Sequence, residues 1–169
     1  HGMNERDGMR ITTAIFGMAM ALSLSACART QPVHLVDGRV LQTKSVFTSG
    51  DRVQFKSEGW EYNLPSYMVN DREPADMVTI QRIEITKDSI TTPTVKLSAF
   101  EELVQLLDKT ATRSNPILLV LPDAVSWTES RRQEFGKVFG EISKRPDVGI
   151  EGFWPKKWLP GEPGRDLTE

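Results

Sequence analysis

Cysteine is nearly absent from this chain of 169 residues, and Cys27 stands alone. One cysteine excludes an intramolecular disulfide, so the fold must rest on its hydrophobic core even in an oxidising compartment. Histidine is almost as scarce, with only His1 and His34. A single histidine in the body of the chain, without a matching Cys, His or carboxylate cluster, offers no metal site. It cannot supply a conventional Ser-His pair either, and His34 lies in a polar stretch, poorly placed as a general base. Charge of one sign is also missing. The 21 basic and 23 acidic residues leave a net charge of −2, which gives no electrostatic case for nucleic acid. There is no nucleophile elbow, phosphate-cradling glycine loop, zinc helix motif or dinucleotide fingerprint, and none of these residues implies a cofactor. No internal repeat or low-complexity tract is present. No apolar run reaches the length of about 20 residues that spans a bilayer.

What is present begins with Ile11 to Leu24, a run of 14 residues without charge that follows Met9-Arg10. It is too short to cross a membrane but suits the apolar region of a secretory signal. The run closes on Leu24-Ser25-Ala26-Cys27. This quartet resembles the lipobox of bacterial lipoproteins: Leu, a small residue, Ala or Gly, then Cys. The resemblance implies that the Cys27 thiol receives a diacylglycerol, that the signal is cut before Cys27, and that the new amino terminus is acylated. Two or more acyl chains anchor a protein stably, at about 0.8 kcal/mol per buried methylene. By the enterobacterial sorting rule, Ala28 in place of Asp points to the outer membrane, facing the periplasm.

Met9 is the better start of such a signal, because starting at Met3 would add Glu5 and Asp7 to the positive region. Residues 1–8 therefore read as a non-native or upstream extension and 9–26 as the signal peptide. Residues 27–37, polar and containing Pro32, read as a lipidated tether. Residues 38–154 form one α/β domain, long enough for a real core, and 155–169 is a Pro/Gly-rich mobile tail.

Within the domain, Val40 to Phe47 and Arg52 to Lys56 predict two strands of a hairpin around Thr48-Ser49-Gly50-Asp51. Glu58 to Ala75, with Gly59, Pro65 and Pro74, has no sustained period and reads as a long loop. Met77 to Thr86 predicts a strand whose buried face switches near Gln81-Arg82, which implies a bulge or a strand buried on both faces. Ile90 to Leu97 is extended, with Pro93 marking an edge or break. Ser98 and Glu101 have capping-box spacing and open a helix with an apolar stripe of Phe100, Leu103, Val104, Leu107 and Ala111. Ile117 to Leu121 is wholly apolar, as a central strand should be. Ser126 and Glu129 form a second capping box. It opens a helix that buries Phe135, Val138, Phe139 and Ile142 and ends at Arg145-Pro146. Val148 to Trp154 is a last strand. Helices alternating with strands predict a small α/β two-layer sandwich. Its mixed sheet carries two main helices, has parallel neighbours through a right-handed crossover, and is preceded by a β-hairpin. Leu103, Leu107, Leu119, Val120, Phe135, Phe139 and Ile150 should share one core cluster.

Few side chains stand out as sites. Asp123 follows the central strand, where open α/β sheets bind ligands, although an Asp before a helix also serves as a turn or cap. Trp60, Tyr62 and Tyr67 crowd the long loop. They either fold back onto the core or form a partner-binding surface, for which Trp and Tyr are the favoured residues. Trp154 reads as the end of the last strand. Trp158, beyond Lys156-Lys157, either staples the tail or meets a partner or lipid headgroups. Gly136 and Gly140, four apart on a charged helix, read as close packing on the sheet.

Ile83-Glu84-Ile85-Thr86-Lys87-Asp88-Ser89-Ile90, then Leu97-Ser98 into Phe100-Glu101-Glu102-Leu103, then Ile117-Leu118-Leu119-Val120-Leu121-Pro122-Asp123, resembles the periplasmic domain of TolR/ExbD-type biopolymer-transport proteins. Phe135 to Phe139 and Val148-Gly149-Ile150 continue the order. That family carries Gly where this chain has Ser89, and an N-terminal membrane helix where this chain has a signal and a lipid. The resemblance therefore implies a small α/β binding domain and not a motor.

The chain is thus expected to be a non-enzymatic, lipid-anchored binding or scaffold protein of the bacterial envelope. Its expected contacts are the membrane, through lipid on Cys27, and an envelope protein, in a secretion or other envelope complex. An immunity lipoprotein, a carrier of a lipid or small apolar ligand, and an envelope hydrolase stand as alternatives. Cys27→Ser should block acylation and leave an unprocessed precursor. Mass spectrometry of the wild type should find a lipid-modified peptide beginning at Cys27; a mature chain without lipid would refute the lipobox reading.

Overall fold

Ile117 to Leu121 has no polar side chain, and all five residues are buried. That is possible only where both faces of a strand are covered, so this segment sits at the middle of the molecule. The computed structural model describes residues 29–153. In chain order the strands and helices are β1 (Gln31–His34), β2 (Val40–Thr43), β3 (Val46–Ser49), β4 (Arg52–Ser57), β5 (Trp60–Pro65), β6 (Gln81–Ile85), β7 (Ile90–Thr91), β8 (Lys96–Leu97), α1 (Phe100–Thr110), β9 (Ile117–Leu121), α2 (Glu129–Ile142) and β10 (Val148–Gly152). Eight strands form one sheet in the order β3-β4-β5-β10-β9-β6-β7-β8, and β1 pairs with β2 in a second, small sheet. β9 runs parallel to both β6 and β10, while the flanking pairs are antiparallel. The architecture is therefore an α/β two-layer arrangement of a mixed sheet and two helices with an N-terminal hairpin.

Alternation along the strands divides the core in two. Ile83, Ile85, Ile117, Leu119, Leu121, Val148 and Ile150 point to one face, where Phe100, Leu103 and Leu107 of α1 and Phe135, Phe139 and Ile142 of α2 cover them. Val53, Phe55, Tyr62, Leu64, Leu118 and Val120 point to the other, beneath Val33, Leu35, Val36 and Met68. The helix layer does not reach across β4 and β5. There the helix-side positions turn polar: Arg52 Nε donates to Asn63 Oδ1 at 2.8 Å, and Arg52 Nη1 donates to the carbonyls of Arg145 and Val148 at 3.1 and 2.7 Å. This arginine ties the outer strands to the loop entering β10.

Several sequence expectations are corrected. Residues 31–36 belong to the domain rather than to the tether, because Val33, Leu35 and Val36 are 4, 3 and 0% exposed. Val40 to Phe47 is two strands broken at Lys44-Ser45, and the expected hairpin is β3–β4, inside the large sheet. The long loop contains β5, an interior strand bonded to β4 and β10. The strand expected from Met77 begins only at Gln81; Ile80 lies in the hairpin-side core, so the switch of face precedes the strand. Val120 joins the hairpin-side cluster, one pleat away from Leu119. Both caps move. Ser98 N and Oγ donate to the carboxylate of Glu102, not Glu101, and α1 starts after Ala99. Thr128, not Ser126, caps α2, accepting from Arg131 N. Gly140 opens to space with nothing within 4 Å, so it does not mediate close packing.

Three substitutions test this packing by denaturant unfolding. Leu107→Ala and Phe139→Ala should each cost about 2–5 kcal/mol, as large-to-small core changes do. Gly152→Ala should also destabilise, because a Cβ there would lie 2.3 Å from the carbonyl oxygen of Leu121 on the neighbouring strand. An unchanged midpoint for Gly152→Ala would mean that β9 and β10 are not paired in this register.

Candidate functional site

β10 reads Val-Gly-Ile-Glu-Gly, and alternation turns Ile150 to the helices and Glu151 to the hairpin side. Register places Glu151 beside Tyr62 of β5 and Val120 of β9. A carboxylate 2% exposed in the middle of a sheet is costly unless its charge is met. Two guanidiniums meet it. Arg82 Nη2, from β6, lies 2.5 Å from Oε1, and Arg39 Nη1, from the β1–β2 turn, lies 3.7 Å from Oε2. Oε2 has no hydrogen-bond partner of its own. Asp37 holds Arg39 in place, accepting from its backbone N at 3.1 Å and from its Nε at 2.9 Å. Gly38 between them adopts φ +92°, a left-handed conformation that a side chain would strain.

The Tyr62 hydroxyl hydrogen-bonds the Glu151 carboxylate, and its ring stacks on Phe55 at 4.8 Å. Burial, reinforced by the negative charge of Glu151, pushes the Tyr62 pKa up to about 12. A recess of about 230 Å³ opens above this cluster, with Trp60, Ser57 and Glu58 on its rim. The side chains of Arg39 and Arg82 stay 36 and 50% exposed, and both line the recess. Glu58 is exposed and sits at φ 52° in the β4–β5 turn. The arrangement presents two fixed cationic forks, an aromatic wall and an exposed carboxylate.

The residues singled out from sequence fall in different places. Trp60 is half-buried on the recess rim, its ring 4.8 Å from Phe153. Tyr62 is 7% exposed, a core residue rather than a loop surface. Tyr67 follows β5 at the opposite end of that strand, with Arg113 stacked 5.5 Å over its ring and its hydroxyl buried without a hydrogen-bond partner. The three therefore do not form one patch. Asp123 is a latch: Oδ1 accepts from Trp127 Nε1 at 2.8 Å, Oδ2 from Lys87 N at 3.3 Å, and its carbonyl from Ser126. His34 Nδ1 lies 2.6 Å from Asp71 Oδ1 at the surface. Cys27, Trp154 and Trp158 lie outside the described residues. Among the described residues no group of three or more His, Cys, Asp or Glu could hold a metal, and no helix is long and apolar enough to cross a membrane.

Sequence reasoning missed Arg39, Arg82 and Glu151. One signal was available: Glu151 is the only charged residue in a five-residue strand whose other positions are Val, Gly and Ile. Comparisons with family models, characterised proteins and solved structures return no match for this chain.

The chain has two tyrosines, and both pKa values are raised from 10 to about 12, Tyr67 by burial and then by the charge of Asp147. A phenol that ionises later in the folded state favours folding below pH 10, and that contribution is lost as pH climbs from about 10 to about 12. Ultraviolet titration should show no tyrosinate step near 10 until the protein unfolds, and stability should fall across that window. Tyr62→Phe should flatten the fall. A tyrosinate step near 10 from both tyrosines in the folded protein would show that the two phenols are not buried as described.

Proposed function

We propose that this chain is a lipid-anchored domain of the bacterial cell envelope, that it works by binding and not by turnover, and that the recess over Glu151 is its contact point. The observation that carries the binding reading is the pair of half-exposed guanidiniums held by one buried carboxylate beside Trp60. Arg and Trp dominate the energetics of binding sites, and a buried ion cluster gains little stability over apolar packing. Its value lies in fixing the forks before a partner arrives, which lowers the ordering cost of binding.

The anchor rests on the lipobox resemblance. Only residues 28–30 separate Cys27 from β1. Three extended residues reach about 10 Å at about 3.3–3.6 Å each, so a lipid on Cys27 would hold the domain against the bilayer. Thr30 borders a second recess with Lys44, Lys56, Ser57 and Glu58. Ser57 and Glu58 are shared with the Glu151 recess. The contact point therefore lies at the tethered end of the domain, and the partner is expected to be another envelope component close to the membrane surface.

A photo-crosslinking residue at position 60 in cells, compared with one at Gln133 on the exposed face of α2, tests this. Position 60 should give discrete adducts with an envelope component and position 133 none. Loss of the adducts in Arg82→Ala, with circular dichroism unchanged, would tie them to the recess. Absence of adducts at position 60 would overturn the site.

A further inference from the structure

We infer that the recess over Glu151 binds a zwitterionic phospholipid headgroup, a phosphate ester carrying a primary ammonium, in the membrane to which the chain is anchored. The inference rests on the binding reading above and specifies its ligand. Its first support is the recess's own charge pattern. Arg39 and Arg82 both line the recess and stay part-exposed, and guanidinium forks match phosphate oxygens. A plain anion would meet a difficulty here, because Glu151 and Asp37 already match the charges of the two guanidiniums and Glu58 adds a negative charge on the rim. A ligand with both signs has no such difficulty. Its phosphate faces the guanidiniums, while its ammonium faces the exposed Glu58 carboxylate and the Trp60 ring, a favourable surface for a cation.

Size and position agree. A recess of about 230 Å³ holds about eight water volumes, the scale of a headgroup with about eight non-hydrogen atoms. Depth decides the orientation. Glu151 Oε2 is screened from solvent, so it cannot take the ammonium, whereas Glu58 is exposed and can. Glu151 is then a positioning residue that holds the two guanidiniums for the phosphate. The recess also shares Ser57 and Glu58 with the recess at Thr30. Residue 30 is three positions from Cys27, so a lipid there would bring the site close to the headgroups.

The test titrates soluble headgroups into the full chain in detergent, followed by phosphorus NMR of the ligand. The probes are glycerophosphoethanolamine, glycerophosphoglycerol and inorganic phosphate. Glycerophosphoethanolamine should bind saturably, with the other two weaker by about tenfold, the loss of one charge-assisted contact. Arg82→Lys keeps a charge for Glu151 but loses the fork, and should weaken both phosphodiesters. Glu58→Gln lies on the exposed turn, so folding is not at stake; it should erase the preference for ethanolamine while leaving phosphodiester binding. No saturable binding by the wild type, equal affinity for the glycerol headgroup, or equally tight inorganic phosphate would each overturn the inference. Adducts from position 60 persisting alongside a failed titration would leave the binding reading standing with a different ligand. An unlipidated Cys27 would remove the anchor without touching the titration.

Discussion

Glu151 lies on an interior strand and faces the hairpin side, where its carboxylate is 2% exposed. Everything on the hairpin side follows from that constraint. A charge held there needs cations, and two arrive from parts of the chain more than 40 residues apart, Arg39 and Arg82. Arg39 can reach only because Gly38 turns the chain back and Asp37 holds the guanidinium. The hairpin that carries this turn also lays Val33, Leu35 and Val36 over Leu118 and Val120. The polar contact and the apolar cover are therefore one unit: unseating Arg39 would lift the hairpin, and peeling the hairpin would leave half a buried ion cluster, among the costlier defects a core can carry.

The two faces of the sheet carry different duties. On the helix side, Phe100, Trp127, Phe135 and Phe139 form a chain of ring contacts 5.4–6.4 Å apart. Arg131 caps it over Phe100 at 4.4 Å and donates to the carbonyl of Thr86 at 2.9 Å. On the hairpin side the apolar cover stops short, and the recess occupies the gap. A domain whose helices alone close its larger core can leave the opposite face incompletely covered, and an incompletely covered face is where a ligand can complete the packing.

How much of this was legible follows from periodicity and its interruptions. Ile117 to Leu121 and the stripe of α1 announce themselves, because burial on both faces or on one helical face leaves a pattern that nothing else imitates. β5 was hidden, although Trp60, Tyr62 and Leu64 alternate. Its other face, Glu61 and Asn63, lies beyond the reach of the helices and stays polar, and Gly59 and Pro65 bracket it like a loop. β1 was hidden for a related reason: in a two-stranded sheet only one side is buried, so Gln31 and Pro32 sit exposed before Val33. The capping boxes misled by one or two residues because Ser98, Ser126 and Thr128 are all chemically competent caps, and the tertiary position of the helix decides among them. The site was the least legible part. Arg39, Arg82 and Glu151 are far apart in sequence, and each alone looks like an ordinary surface charge; only the register of β10, β9 and β6 sets Arg82 and Glu151 on one face, and the β1–β2 turn brings Arg39 over them.

That register also sets the end of the sheet at which the recess lies. β9 and β10 end at Leu121 and Gly152, at the same end as Ser57, Trp60 and the start of β1. An α/β sheet gathers its binding positions at the carboxyl ends of its parallel strands because the helices begin there and the side chains of the last strand residues are left without cover. Asp123, at the end of β9, is the position that this rule singles out, and in this fold it is spent on Trp127 and Lys87. The uncovered position shifts instead to the neighbouring strand and the opposite face, where Glu151 lies and no helix begins. The start of β1 reaches the same end of the sheet, where Thr30 borders a recess that shares Ser57 and Glu58 with the one over Glu151.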